Sequence, residues 1–233
     1  LETRGLGATL YRRAFERATG RPLERAADVT GQTETSILIA TLRLHGITED
    51  EPFLSRYAEA LADEYEQHRE QLKIQGRMLP GAQKVLAALA TVPWIVQSVL
   101  TGNLRAVSAT KLSVFDLDRY LDLDVGAHGD DDPDRPALVA IAQSRAQTKY
   151  LTTFSRANTA IMGDSTHDVH AGLRGGARTV GVATGSASAD QLHQAGADAV
   201  WPNLEAILSA DGTVGPEFLS LLRGGLEPVR PPE

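Results

Sequence analysis

Two aspartates four residues apart, Asp164 and Asp168 in the stretch TAIMGDSTHDVHAG from Thr159 to Gly172, are the groups in this chain best disposed to do chemistry. The apolar residues before Gly163 have the length of a buried strand, and the polar turn after it opens a helix. That order puts Asp164 at the carboxyl end of the strand and Asp168 near the first helical turn, so both carboxylates face one crevice. Hard oxygen ligands at the carboxyl edge of an open α/β sheet suit Mg²⁺, which binds through one or two carboxylates and completes its shell with water and phosphate oxygens. Taken alone, the spacing is equally that of a turn and a helix cap, since Asp favours both. His167 and His170 lie close by. With no other histidine at ligand spacing, they read as helix-surface residues.

Two further places offer polar groups after an apolar run. Thr101-Gly102-Asn103 follows WIVQSVL and supplies a hydroxyl, a residue that permits close backbone approach, and an amide at a helix start. Successive N–H groups and a positive helix terminus can cradle an anion there, although an ordinary N-cap has the same composition. Gly129-Asp130-Asp131-Asp132-Pro133-Asp134-Arg135-Pro136 lacks the spaced glycine and distal glutamate of a calcium loop, so its aspartates read as caps or a solvated charge run. Arg135, a fixed cation opening a helix, could neutralise a phosphoryl group. Gly31-Gln32-Thr33-Glu34 is a polar turn that starts a helix and could also lean over a neighbouring site.

The elements that must position these groups fall into two textures. Residues 8–75 read as helices alone: Leu6, Leu10, Ala14, Phe15 and Ala18 recur at helical spacing up to Gly20, and Leu54, Tyr57, Ala58, Leu61 and Tyr65 make one face of a later helix. Residues 1–7 and 76–210 alternate helix with strand, the strands being expected at Trp94 to Leu100, Leu121 to Val125, Thr159 to Met162, Arg178 to Val182 and Ala197 to Trp201. Such alternation predicts an α/β fold with a doubly wound parallel sheet, into which the helical segment is inserted as a cap. Residues 211–233 are expected to form a partly flexible tail.

Bulk properties narrow the classes. The 233 residues are 42% hydrophobic, enough for a packed interior, and carry a formal net charge of -7 with scattered Lys and Arg, which argues against nucleic acid as a partner. No cysteine is present, so thiolate catalysis and Cys-ligated metals are excluded. No apolar run has membrane-spanning length and the first residues do not resemble a signal peptide; a cytoplasmic protein without membrane contact is expected.

Jointly, Thr101-Gly102-Asn103, the basic residue of Arg135-Pro136, and Gly163-Asp164-Ser165-Thr166-His167-Asp168 resemble the second, third and fourth motifs of the haloacid-dehalogenase-like (HAD) superfamily, in the same order. Leu79-Pro80-Gly81 and Gly31-Gln32-Thr33-Glu34 are similar to the cap return and cap loop of its phosphoglycolate-phosphatase-like branch. The resemblance spans Leu1 to Leu208. It implies a Mg²⁺-dependent phosphatase acting on a small phosphorylated metabolite through a phospho-aspartyl intermediate. Thr101, Gly102 and Asn103 would bind phosphoryl oxygens, Arg135 would stand where lysine is usual, and Asp164 and Asp168 would hold the metal. The substrate itself would be chosen by the cap loop and the helices near Tyr57 and Tyr65.

The family's first motif, Asp-x-Asp-Gly-Thr, is absent from the sequence, and Leu1-Glu2-Thr3-Arg4-Gly5 resembles the family's chain just after that motif. Phe115-Asp116-Leu117-Asp118 is no substitute, because no apolar strand precedes it. The nucleophile is therefore expected upstream of Leu1. A non-catalytic phosphate-ligand-binding protein of the same fold, and a phosphomutase, are the alternatives.

Overall fold

Leu10, Ala14 and Phe15 at helical spacing, with no exposed surface left on any of them, show how the first part of the chain folds. The structure, a computed structural model, describes residues 1–28, 31–48, 50–185 and 187–223. They form two compact units, the first made of Leu1–Met78, Thr101–Arg119 and His128–Arg135. Its helices are α1 (Leu6–Thr19), α2 (Glu34–Leu44), α3 (Glu51–Gln67), α4 (Arg69–Gln75) and, past α5 (Ala82–Ala90) of the other unit, α6 (Arg105–Val114). Local chemistry sets their ends. Gly20, at φ 68, closes α1 by donating its N–H to the Glu16 carbonyl. Thr33 and Ser36 form a reciprocal capping box on α2, and the Asp50 carboxylate accepts from Phe53 N–H at the start of α3.

One apolar face from each helix closes the core of this unit: Leu38 and Leu42 from α2, Tyr57, Leu61 and Tyr65 from α3, Leu72 from α4. Each such burial contributes about 1.5–3 kcal/mol. Tyr57 and Tyr65 are 1% and 2% exposed, so both rings belong to the core of this unit. Glu2 and Arg77 exchange two backbone hydrogen bonds of 2.9 Å, an isolated antiparallel bridge that clasps the start of the helical segment to its end. The sequence reading placed Thr101–Arg119 and His128–Arg135 with the α/β core; here they group with the helices, because α6 packs on α3 and α4.

The second unit takes in Leu79–Leu100, Tyr120–Ala127 and the described residues from Pro136 onward. After α7 (Ala137–Tyr150) come β1 (Ala160–Gly163), α8 (Thr166–Gly175), β2 (Arg178–Val182), α9 (Ala189–Gln194), β3 (Ala199–Trp201) and α10 (Pro216–Arg223). The three strands form a parallel sheet in the order β1-β2-β3, with Ile161 opposite Thr179 and Gly181 opposite Val200. Side chains alternate between its faces. Thr179 and Gly181 meet Gly172 of α8 and Leu192 of α9, while Val180 packs with Val85, Leu89 and Phe218 on the opposite face. Helices thus cover both faces, as expected for a doubly wound sheet. Phe218 is buried edge-on against Trp201, with ring centroids 5.2 Å apart, so part of the expected tail is a packed helix.

Two expected strands differ. Among Leu121 to Val125, the Asp122 carboxylate accepts from Asp124 N–H and turns Leu123–Val125 into a 3-10 helix, since a short acidic side chain competes with ladder formation. Trp94 to Leu100 is left with a single parallel bridge, Leu100 to Ala127, although the Gln97 and Val99 carbonyls accept from Asp122 and Ala127. This segment and β1 both line an apolar cavity of about 660 Å³, whose walls include Val96, Val139, Phe154 and Ile161. No helix among the described residues is long and apolar enough to cross a membrane. Val29, Thr30 and the expected tail beyond Arg223 lie outside the described residues.

Candidate functional site

Thr101, Gly102 and Asn103 are held in the first unit by contacts with the loop that opens α2. Gly102 is buried, and a Cβ placed on it would lie 2.5 Å from the Gln32 carbonyl oxygen, so only glycine lets the two loops approach this closely. The Gly102 carbonyl accepts from Glu34 N–H at 2.6 Å. From the same loop the Thr35 hydroxyl donates to the Gly129 carbonyl at 2.6 Å, and the Thr33 hydroxyl to that of Pro133 at 3.1 Å. The loop around Gln32 therefore leans on the Thr101 loop and on the stretch leading to Arg135.

Within the Thr101 loop, the Thr101 hydroxyl oxygen accepts from Asn103 Nδ2 at 2.7 Å and from Asn103 N–H at 3.2 Å. Asn103 Oδ1 in turn accepts from Lys111 Nζ. The start of α6 was expected to offer its N–H groups to an anion. Two of them are already engaged, Leu104 N–H by the Glu34 carboxylate at 2.6 Å and Arg105 N–H by Asp130 at 3.0 Å. Acidic side chains prefer this end of a helix, so they cover the positive terminus. Burial pushes the Glu34 carboxyl up, against the opposing effects of the Lys111 charge and the Leu104 N–H. Burial likewise lowers Lys111, which the Glu34 charge counteracts.

The acidic run is a capping stretch. Asp131 accepts from His128 N–H at 2.8 Å and Asp132 from Asp134 N–H at 2.7 Å. Arg135, half-buried, closes the first unit. Asp116, at φ 54, sits in the left-handed turn that ends α6, which fits its reading as a loop residue.

Asp164 and Asp168 belong to the second unit, in the order expected. Asp164 follows Gly163 at the carboxyl end of β1, and Ser165 caps α8 so that Asp168 falls in its first turn. Asp168 Oδ2 accepts from the Ser165 hydroxyl at 2.8 Å and its N–H at 3.2 Å, which fixes the carboxylate. Glycines back both acids. A Cβ on Gly163 would collide with the Asp168 carboxylate, and one on Gly185 would lie 2.5 Å from Asp164 Oδ2. Two carboxylates seated against bare backbone, one at a strand end and one in a first helical turn, fit a Mg²⁺ ion, which needs no third protein carboxylate. Among the described residues, no group of three or more His, Asp or Glu is poised for a metal. His167 and His170 are exposed.

Of the six candidate residues read from the sequence, Thr101, Gly102, Asn103 and Arg135 lie in the first unit and Asp164 and Asp168 in the second. It missed Gly185, Gly129 and Lys111. A lysine two turns into a helix carries no local signal, and the two glycines stand out only by what a side chain there would strike.

Residues 133–207 match the HAD-hydrolase-like family model. No curated protein matches the chain in sequence. Solved structures with a similar fold include a hydrolase from Pseudomonas syringae, at 22% identity and a TM-score of 0.59, over 86% of this chain and 88% of that one. A predicted phosphatase from Clostridium acetobutylicum aligns at 17% identity and a TM-score of 0.57, over 86% and 88% of the two chains. A protein described as a haloacid dehalogenase-like hydrolase from Bacteroides fragilis aligns at 21% identity and a TM-score of 0.57, over 88% and 92%. The chain has the fold of HAD-like hydrolases, and its residues 133–207 carry their sequence pattern.

Proposed function

We propose that the protein is a phosphatase that hydrolyses a small phosphomonoester with the help of Mg²⁺. The observation that carries this reading is the pair Asp164 and Asp168, set at the end of β1 and in the first turn of α8 and backed by Gly185 and Gly163. These two carboxylates would hold Mg²⁺, which when bound offsets charge on the phosphoryl group. Thr101 would donate its hydroxyl to a phosphoryl oxygen, with Gly102 and Asn103 shaping the loop around it, and Arg135 would supply fixed positive charge. Residues 8–75 would serve as the inserted helical cap domain.

The reaction needs an aspartate to attack phosphorus while the P–O bond to the alcohol breaks. The alkoxide takes a proton from a general acid, and water then cleaves the phospho-aspartate to free phosphate and regenerate the carboxylate. We assign the nucleophile to a strand in residues preceding Leu1. The cavity lined by Trp94 to Leu100 and β1 supports this. Because Gln97 and Val99 turn their carbonyls toward 122–127, the backbone groups of Val96 and Ser98 point the other way. Because Thr159 bonds to Arg178, those of Ala160 and Met162 likewise point away from β2. Apolar walls between two such edges suit a buried parallel strand.

The test is phosphate release from an aryl phosphate by protein that includes the residues before Leu1. Asp164→Asn is expected to lose activity by about 100-fold or more, as removal of a group that stabilises transition-state charge does. Undiminished turnover by that variant, or in excess chelator, overturns the reading. Binding of inorganic phosphate without turnover would instead mark a phosphate-binding protein of the same fold.

A further inference from the structure

A threonine hydroxyl has one proton to give and two lone pairs to fill. In Thr101 the lone pairs meet the Nδ2 and the backbone N–H of Asn103, which leaves the O–H to donate elsewhere. That arrangement depends on which way the Asn103 amide is turned. With Oδ1 toward Thr101, the hydroxyl would spend its proton on Asn103. The other end of the amide settles the matter. Lys111 Nζ meets it, and an ammonium has donors only, so it selects Oδ1 and sends Nδ2 toward Thr101. Lys111, on α6 and eight residues after Asn103, sits 4.7 Å above the ring of the buried Tyr65, with the Glu34 charge offsetting its own.

We propose that Lys111 is a positioning residue: by holding Asn103 Oδ1 it commits the Thr101 hydroxyl to donate to a phosphoryl oxygen, with Glu34 as its counter-ion. The proposal rests on the phosphate-binding reading of Thr101. It adds a residue outside the three motifs and ties the phosphate-binding loop to the first residue of α2.

A double-mutant cycle between Lys111 and Thr101 tests it, read as inorganic phosphate affinity by calorimetry and as kcat and KM for an aryl phosphate, on the full-length protein. Lys111→Met is expected to weaken phosphate binding about ten-fold, the scale of a charge-assisted hydrogen bond. In a Thr101→Val background the same change is expected to cost less than about two-fold, because its effect passes through the hydroxyl. Since Lys111→Met strands the Glu34 charge and can unfold the unit, Glu34→Gln with Lys111→Met, which removes both charges, is run alongside and is expected to follow the same pattern. Equal losses in the two backgrounds, or no loss from Lys111→Met while the wild type binds phosphate, overturn the relay alone. A wild type that binds no phosphate overturns the relay and the phosphatase reading together.

Discussion

Gly185 shows how much a site can depend on an atom that is not there. Its hydrogen faces Asp164, and a methyl group would press on Oδ2 from 2.5 Å. Gly185→Ala must therefore displace the carboxylate, and overpacking of this kind costs about 1–3 kcal/mol. We expect Mg²⁺ affinity, measured by calorimetry, to fall about ten-fold or more with little change in far-ultraviolet circular dichroism. Unchanged affinity would mean that Asp164 is not a metal ligand. At this scale the sequence was legible where chemistry is local: Ser165 and Asp168 form a capping box within four residues, so composition was enough to position them. Lys111 and Gly185 were not legible, because their partners Asn103 and Asp164 come to them through the helix and the chain reversal after β2.

Among the elements, α7 is tied down at its C-terminal end by Asp122. Lys149 Nζ reaches Asp122 Oδ1 at 2.8 Å and the Tyr150 hydroxyl reaches Oδ2 at 2.5 Å. Burial would raise the Asp122 carboxyl, but these bonds, with that from Asp124 N–H, outweigh it and hold the group below the usual carboxylate range. A depressed native value means that the unfolded chain binds the proton first as pH falls. The stabilisation is complete above the unfolded value, about 3.9, and disappears as pH drops through the native one. Asp122→Asn should therefore lower stability by about 1 kcal/mol near neutral pH and by progressively less below about pH 4, as seen in urea midpoints. A constant difference across that range would contradict the assignment. The same aspartate explains why Leu121 to Val125 defeated the strand reading: its alternation of Leu and Asp has the period of a strand, yet Asp122 spends its side chain on a local turn.

For the whole molecule, the sequence disclosed the alternation of helix with parallel strand and the helical first segment, because periodicity survives whatever the tertiary arrangement. It did not disclose that Trp94 to Leu100 would form so little of a ladder. A strand is defined by its neighbours, and apolar pattern is silent about them. If the apolar cavity receives a strand from residues before Leu1, protein that includes them should melt several degrees higher than the chain from Leu1, since about 1.5–3 kcal/mol accompanies each large side chain buried. Equal melting temperatures would place that strand elsewhere.

The clasp between Glu2 and Arg77 sets the two ends of a long helical excursion side by side, about 5.5 Å apart in a hydrogen-bonded antiparallel pair. A segment that leaves and rejoins the chain at one spot can grow, shrink or be traded for another without stretching what lies outside it. Evolution could thus change what sits between those two residues as a cassette while Asp164 and Asp168 stay where they are.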